Sequence, residues 1–201
     1  MTFLKFCGMT RPQDVEIALD LGVDAIGIVL WSGSPRHVAI ETAAKLISML
    51  PPAVTPVGVF VRPSREEVVD AVERTGIRVA QLHGMGDARL EDVPCERWFA
   101  ISPPVNGTLP IAHEHRILLD AHDPVKVGGT GRTIDWHDAA RIAATRSIIL
   151  AGGLTAANVA AAIRTVRPYG VDVASGIETS AGVKDEAAMR AFAAAVRGNN
   201  Q

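Results

Sequence analysis

Apolar residues along this chain gather into short continuous runs rather than alternating with polar ones. The runs begin near Leu4, Ala25, Pro56, Val79, Trp98, Ile117, Ser147 and Gly170. A strand covered on both faces reads this way, because neither face meets water. Between the runs the pattern becomes helical. Thr10 is placed to cap a helix over Pro12–Leu21, with Pro early, acids in the first turn and Gly22 past its end. Ser64 and Glu67 have capping-box spacing at the head of Arg65–Thr75, which Gly76 closes. Thr155 opens an Ala-rich helix to about Arg167, stopped by Pro168, and Asp185–Val196 forms the last helix. The short spacing after the fourth and fifth runs leaves room for short helices only.

Eight strands alternating with helices build either a closed (β/α)₈ barrel or an open doubly wound sheet. The open sheet is normally marked by a Gly-rich turn after its first strand. That turn here reads Cys7-Gly8-Met9-Thr10, and the Gly-rich turns follow the sixth, seventh and eighth strands instead. Barrels commonly hold phosphate with the loops after strands 7 and 8. The pattern therefore predicts an α/β fold, a single (β/α)₈ TIM barrel of eight parallel strands over residues 1–201.

Composition narrows the function. The 201 residues carry 20 Lys+Arg and 22 Asp+Glu, a formal net charge of −2, which argues against a phosphate-backbone binder. The few scattered aromatics offer no stacking platform for single-stranded nucleic acid. At 48% hydrophobic and 21% charged the chain is too apolar for disorder. No apolar run approaches the roughly 18 residues of a membrane span. Asp14, Glu16 and Asp20 interrupt any signal-peptide core, and Cys7 and Cys95 are too few for a disulfide framework. A cytoplasmic protein is expected.

In a barrel the chemistry sits at the C-terminal ends of the strands. The first strand ends Lys5-Phe6-Cys7, the fourth Gln81-Leu82-His83, the sixth Leu118-Leu119-Asp120 and the eighth Asp172-Val173-Ala174. Alternation puts Lys5 and Cys7 on one face, and Leu118 and Asp120 on one face. Cys7 is a nucleophile, a general base or a small buried residue; Lys5 beside it would favour the thiolate. Asp120 is a cap, a loop acid or a catalytic group, and no strong helix signal follows it. Gly128-Gly129-Thr130-Gly131, Ala151-Gly152-Gly153-Leu154 and Ala174-Ser175-Gly176 are three ordinary turns or one anion site. Three in succession favour the anion. Arg36 in Ser34-Pro35-Arg36-His37 is a solvated loop cation or a bidentate carboxylate ligand. His113 and His115 precede the sixth strand while His122 follows it, and His83 lies on another, so no metal site is expected.

Taken together these residues resemble phosphoribosylanthranilate isomerase over nearly the whole chain. The likeness runs through Lys5-Phe6-Cys7-Gly8-Met9-Thr10, Ser34-Pro35-Arg36, Gly58-Val59-Phe60-Val61, Gln81-Leu82-His83-Gly84 and Leu118-Leu119-Asp120. It continues through Gly128-Gly129-Thr130-Gly131 with Asp135-Trp136, Leu150-Ala151-Gly152-Gly153-Leu154, Gly170 to Gly176, and Gly182-Val183-Lys184-Asp185. The resemblance implies an aldose–ketose isomerase of tryptophan biosynthesis that performs an Amadori rearrangement on a phosphosugar. It implies Cys7 as general base, Asp120 as general acid and Arg36 at the anthranilate carboxylate. Gly152, Gly153, Ser175 and Gly176 would hold the phosphate, and Gln81, His83, Gly129 and Asp172 complete the expected substrate contacts. No cofactor or metal is implied, nor any nucleic-acid or membrane partner; the expected assembly is a monomer or homodimer. Two positions depart from the family's usual pattern: Leu30-Trp31-Ser32-Gly33 before Ser-Pro-Arg, and Ala174 where Ser is usual.

Two other barrel classes would leave different marks in the sequence. A bifunctional barrel isomerase also serving histidine biosynthesis would call for Asp at the end of the first strand and a second Gly-rich turn in the N-terminal half. A non-catalytic phospholigand or flavin-binding barrel would use the same glycine turns but gives Cys7 and Asp120 no paired role.

Overall fold

The computed structural model describes residues 1–84, 90, 92–101, 111, 115–120 and 135–198. Eight parallel strands close on themselves: β1 (Phe3–Cys7), β2 (Ala25–Val29), β3 (Thr55–Val61), β4 (Val79–His83), β5 (Glu96–Ile101), β6 (Arg116–Leu119), β7 (Ile148–Leu150) and β8 (Gly170–Val173). Each strand pairs with the next in sequence, and β8 returns to β1 in the register Phe3↔Gly170 to Phe6↔Val173. Each strand begins within a residue or two of an apolar run read from the sequence.

The helices are α1 (Pro12–Asp20), α2 (Ile40–Ser48), α3 (Arg65–Thr75), α4 (Trp136–Ala143), α5 (Val159–Val166) and α6 (Glu186–Arg197). Their inner faces follow the helical repeat. In α6 the buried residues are Met189, Phe192, Ala193 and Val196, and in α5 Val159, Ala162, Ile163 and Val166. Phe192 meets Phe6 of β1 edge-on, ring centroids 6.2 Å apart. Fully burying one such side chain is worth about 1.5–3 kcal/mol, so these contacts pin α6 to the seam where the barrel closes.

The helix boundaries test the sequence reading closely. Ser64 accepts from Glu67 N and Glu67 returns the bond to Ser64 N, and Gly76 ends α3 at φ 76°. Thr10 does not cap α1. Arg11 occupies that position, and the Thr10 hydroxyl instead donates to Gly182 O at 2.5 Å, a partner distant in sequence. The helix expected from Thr155 begins only at Val159, because the Asn158 side chain accepts from Thr155 N and donates to Gly153 O, tying the preceding turn into a non-helical knot. Asp185 is the cap of α6 rather than its first residue, accepting from Ala188 N at 2.9 Å. A two-stranded antiparallel strap, β9 (Glu178–Ser180) with β10 (Val183–Lys184), follows β8 and was not expected. The short helices expected after the fourth and fifth strands, and the turn Gly128 to Gly131, lie outside the described residues.

The barrel interior has an aromatic floor that holds one guanidinium, an apolar middle and a polar upper level. Near the N-terminal ends of the strands, Phe3 and Trp98 pack with the Arg116 guanidinium, which sits 3.9 Å from the Tyr169 ring centroid. Ala25, Val57, Val79, Leu118 and Ile149 fill the next level. Above them the same inward positions carry Lys5, Gln81 and Asp172, and then Cys7, Val29 and Val59. A solid floor under polar groups directs any chemistry to the C-terminal face.

The capping box of α3 gives a direct check on the local energetics. Ser64→Ala is expected to lower unfolding free energy by about 1 kcal/mol and Ser64→Gly by only a few tenths, read by urea denaturation. An unchanged unfolding free energy in Ser64→Ala would mean the hydroxyl contributes nothing to the helix terminus.

Candidate active site

Strand alternation turns Lys5 and Cys7 inward, one above the other. Lys5 is wholly buried, and its Nζ donates to Asp172 Oδ1 at 2.7 Å across the β1–β8 pairing, where the two residues are register partners. Two buried ions cost several kcal/mol each in lost hydration, which their mutual attraction must offset. Burial alone would depress the ammonium; Asp172 and Cys7 together hold it above its ordinary value. The neighbouring strand makes room through Gly27. A Cβ there would stand 2.6 Å from Cys7 Sγ and 3.0 Å from Lys5 Nζ, so a side chain would displace the thiol or the ammonium.

Lys5 does not bring Cys7 below the ordinary thiol range. Burial pushes the thiol up and Asp172 adds to that push, while Lys5 and Lys184 pull it down by less. The cation is present as the sequence suggested, but Asp172 neutralises much of its field. The result is a protonated thiol in the ligand-free protein.

Arg36 is not a solvated loop residue. The Ser34 hydroxyl accepts from Arg36 N at 3.1 Å, and the side chain runs over Gly8, where φ is 73° and a Cβ would lie 2.6 Å from Arg36 Cδ. Its Nε and Nη2 donate to the Glu178 carboxylate at 2.9 and 2.7 Å. This pairing holds the guanidinium above, and the Glu178 carboxyl below, their ordinary values despite the burial that opposes both.

The turns after β7 and β8 touch. Gly152 and Gly153 both take positive φ, 83° and 65°, which favours glycine at each. Ser175 and Gly176 lie in a short 3₁₀ turn, and a Cβ on Gly176 would overlap Leu154 O. The Gly176 backbone therefore lies directly against the β7 turn. On β4, Gln81 Nε2 donates to His83 Nε2 at 2.8 Å, while buried Gln81 Oε1 has no partner among the described residues. Asp120 stands one residue past β6, half-buried, its N–H donating to Ile101 O at 2.9 Å. Trp31, from the departing segment, packs with Cys7, Val29 and Val59 beside Ala174. Among the described residues no three His, Cys, Asp or Glu side chains are grouped as metal ligands, and no helix is long and apolar enough to cross a membrane. Gly129 lies outside the described residues.

Cys7, Arg36, Asp172 and the turns at Gly152 to Gly153 and Ser175 to Gly176 thus share the end of the barrel at which Gln81, His83 and Asp120 also stand. Sequence reading passed over Gly27, Glu178 and Lys184. The last of these fell inside a motif quoted for the resemblance, but nothing in its spacing showed what it touches.

Fold and site together define a (β/α)₈-barrel enzyme with its polar groups at the strand C-termini. The model of the N-(5'-phosphoribosyl)anthranilate (PRA) isomerase family matches residues 4–195, and the chain belongs to that family. It is 40% identical over 203 residues to the N-(5'-phosphoribosyl)anthranilate isomerase of Pelobacter propionicus, covering 96% of this chain and 94% of the relative. The crystal structure of phosphoribosyl anthranilate isomerase from Thermotoga maritima superposes with a TM-score of 0.87 at 31% identity, covering 98% of this chain and all of the other. A phosphoribosyl anthranilate isomerase in complex with reduced 1-(o-carboxyphenylamino)-1-deoxyribulose 5-phosphate matches with a TM-score of 0.83 at 30% identity, covering 98% of this chain and all of the other.

The raised Cys7 pKa is measurable. In a Cys95→Ala background, thiolate absorbance in the ultraviolet should titrate with a midpoint above the ordinary ~8.5. A midpoint below that value would show that Lys5 outweighs burial.

Proposed function

We propose that the protein converts N-(5-phosphoribosyl)anthranilate into 1-(2-carboxyphenylamino)-1-deoxyribulose 5-phosphate, an Amadori rearrangement in tryptophan biosynthesis. The observation that carries the reading is Cys7, inward on β1 at the open end of the barrel, with the guanidinium of Arg36 at the same end. The whole chain, residues 1–201, acts as one barrel domain in the cytoplasm, as a monomer or homodimer. Two free cysteines, Cys7 and Cys95, fit a reducing compartment.

The substrate lies with its phosphate against the backbone N–H groups near Gly153 and Gly176 and its carboxylate toward Arg36. Gln81 Oε1, lacking a partner among the described residues, accepts from a sugar hydroxyl. His83 and Gly129 complete that end, and Asp172 acts from below through Lys5. Asp120 protonates the ring oxygen as the anilino nitrogen lone pair expels it, breaking the C1–O bond and leaving an iminium. Cys7 thiolate takes the C2 proton, and the C2–H electron pair forms the enamine while neutralising the nitrogen. Loss of the C2 hydroxyl proton with protonation at C1 gives the aminoketose.

The iminium resolves the difficulty set by the buried thiol. A positive charge arriving beside Cys7 favours the thiolate, so the thiol gives up its proton to solvent and the base becomes populated when its substrate is bound and activated. Proton transfer of this kind contributes 10²–10⁴-fold in known enzymes and needs no cofactor.

Turnover is read from the fluorescence lost as phosphoribosylanthranilate is consumed. Cys7→Ser and Asp120→Asn should each lower kcat by roughly 10²–10⁴-fold with a smaller change in affinity. The bell-shaped profile of kcat/KM against pH should lose one limb in each variant. Near-wild-type kcat in either, with circular dichroism unchanged, removes that residue from the mechanism.

Arg36 is tested at the ligand's other end. Arg36→Lys keeps the charge but loses the planar fork, so KM should rise, and rise further in Arg36→Met. Equal KM for wild type and Arg36→Met would place the carboxylate elsewhere.

A further inference from the structure

Three parts of the site converge on two side chains to which the chemistry above gives no role. The β1–β8 ladder ends at Phe6↔Val173, so the next carbonyls, Cys7 O and Ala174 O, lie past the last register pair. Both accept from Lys184 Nζ, at 2.6 and 3.1 Å, and the third ammonium proton goes to Glu178 Oε1 at 2.8 Å. An ammonium has three donors, and all three are engaged. Both Glu178 oxygens receive Arg36, Oε1 from Nε at 2.9 Å and Oε2 from Nη2 at 2.7 Å, and Oε1 also accepts from Gly182 N at 3.2 Å. The side chain of Lys184 is fully buried and that of Glu178 nearly so. Lys and Glu are almost never fully buried unless paired, so these two sit on the strap at considerable desolvation cost.

A stitch holding β9 and β10 to the barrel would explain one ion pair. It does not explain why the ammonium bonds the carbonyl of Cys7 itself, nor why the carboxylate grips Arg36 edge-on. A guanidinium presents its donors in a rigid fork, and Glu178 takes the Nε–Nη2 edge. That fixes the plane of the fork and leaves the Nη1–Nη2 edge outside the pair. Charge points the same way. Arg36 and Lys184 against Glu178 leave one positive charge in excess, which a ligand carboxylate would neutralise.

We propose that Glu178 and Lys184 are positioning residues for the isomerase reaction. Glu178 sets the plane of Arg36 so that its second edge meets the ligand carboxylate. Lys184 holds the end of β1 that carries Cys7, and the end of β8 that opens the phosphate turn, at a fixed spacing from that edge. One network therefore sets the distance between the carboxylate anchor, the base and the phosphate cradle. The inference rests on the functional reading above, since it takes that ligand's carboxylate as the group Arg36 meets.

Two probes separate this role from a purely structural one. They are the aminoketose product 1-(2-carboxyphenylamino)-1-deoxyribulose 5-phosphate and its anilino counterpart lacking the carboxylate, both titrated calorimetrically. Wild type should prefer the carboxylate form by roughly 10–100-fold, the range for a charge-assisted pair. Glu178→Gln keeps the shape but presents an amide donor to Arg36 or Lys184. It should cut that preference at least about fivefold and raise KM, with affinity for the anilino compound within about twofold of wild type. Glu178→Asp keeps the charge but not the reach, and should behave likewise if Glu178→Gln fails to fold. Lys184→Met should weaken both compounds and lower kcat, because Cys7 and the phosphate turn both lose their tie. An unchanged carboxylate preference in a folded Glu178 variant, or a lower melting temperature alone with kcat and KM intact, overturns the inference while the isomerase reading stands. Wild type that neither turns over phosphoribosylanthranilate nor binds its product overturns both.

Discussion

The seam between β1 and β8 is where this barrel closes, and it is closed by charge as much as by backbone. Inside, Lys5 bonds Asp172 across the register; at its end, Lys184 bonds the carbonyls that the ladder leaves behind. Outside, Phe6 and Phe192 carry the apolar side of the same joint. A sheet that failed to meet here would be open, and Cys7 would have no fixed height above the floor. Removing one partner of such a buried pair typically costs about 3–5 kcal/mol, because the other is left charged and unsolvated. The site and the fold's closure therefore depend on the same few groups.

The grading of the interior follows from that arrangement. Leu118, Ile149 and Val79 fill the barrel with side chains that need no partner. Apart from Arg116, whose guanidinium lies against the aromatic rings of the floor, the groups that need partners gather toward the open end, where a ligand or another element can supply them. Gly27 belongs to this economy of space: it provides the volume that Cys7 Sγ and Lys5 Nζ occupy. Gly176 does the same for backbone, letting the β8 turn rest on Leu154 O.

Local signals made the eight strands and the ends of α3 readable in sequence. A buried parallel strand is a continuous apolar run, and Ser64, Glu67 and Gly76 act within one turn of the helix they bound. Misplaced boundaries have tertiary or competing causes. Thr10 looks like a cap until Gly182, folded over it, takes its hydroxyl; Thr155 looks like a helix start until Asn158 captures its N–H. The strap of β9 and β10 is too short for a period of two to register. In the site, Cys7, Asp120, Arg36 and the glycine turns stood out because each lies at a strand end or in a loop of distinctive composition. Glu178 did not, because its partner Arg36 is 142 residues away and nothing local marks a glutamate for burial. Lys5 was recognised as the neighbour of Cys7 and does pull the thiol down, yet burial, reinforced by Asp172, outweighs that pull, a balance that only assembled geometry decides.

That balance bears on how a thiol serves as a base. A thiolate standing ready in the empty site would be open to oxidants and alkylating agents, since the thiolate is the reactive form. Burial and Asp172 keep Cys7 protonated, and Lys5 remains close enough to support the anion once something shifts the balance. In the proposed reaction the shift comes from the substrate's own iminium, a charge that exists only after the ring has opened. The base then forms where and when the C2 proton becomes acidic. The stabilisation is larger for the activated intermediate than for the bound ground state, which is the condition for raising kcat rather than merely lowering KM.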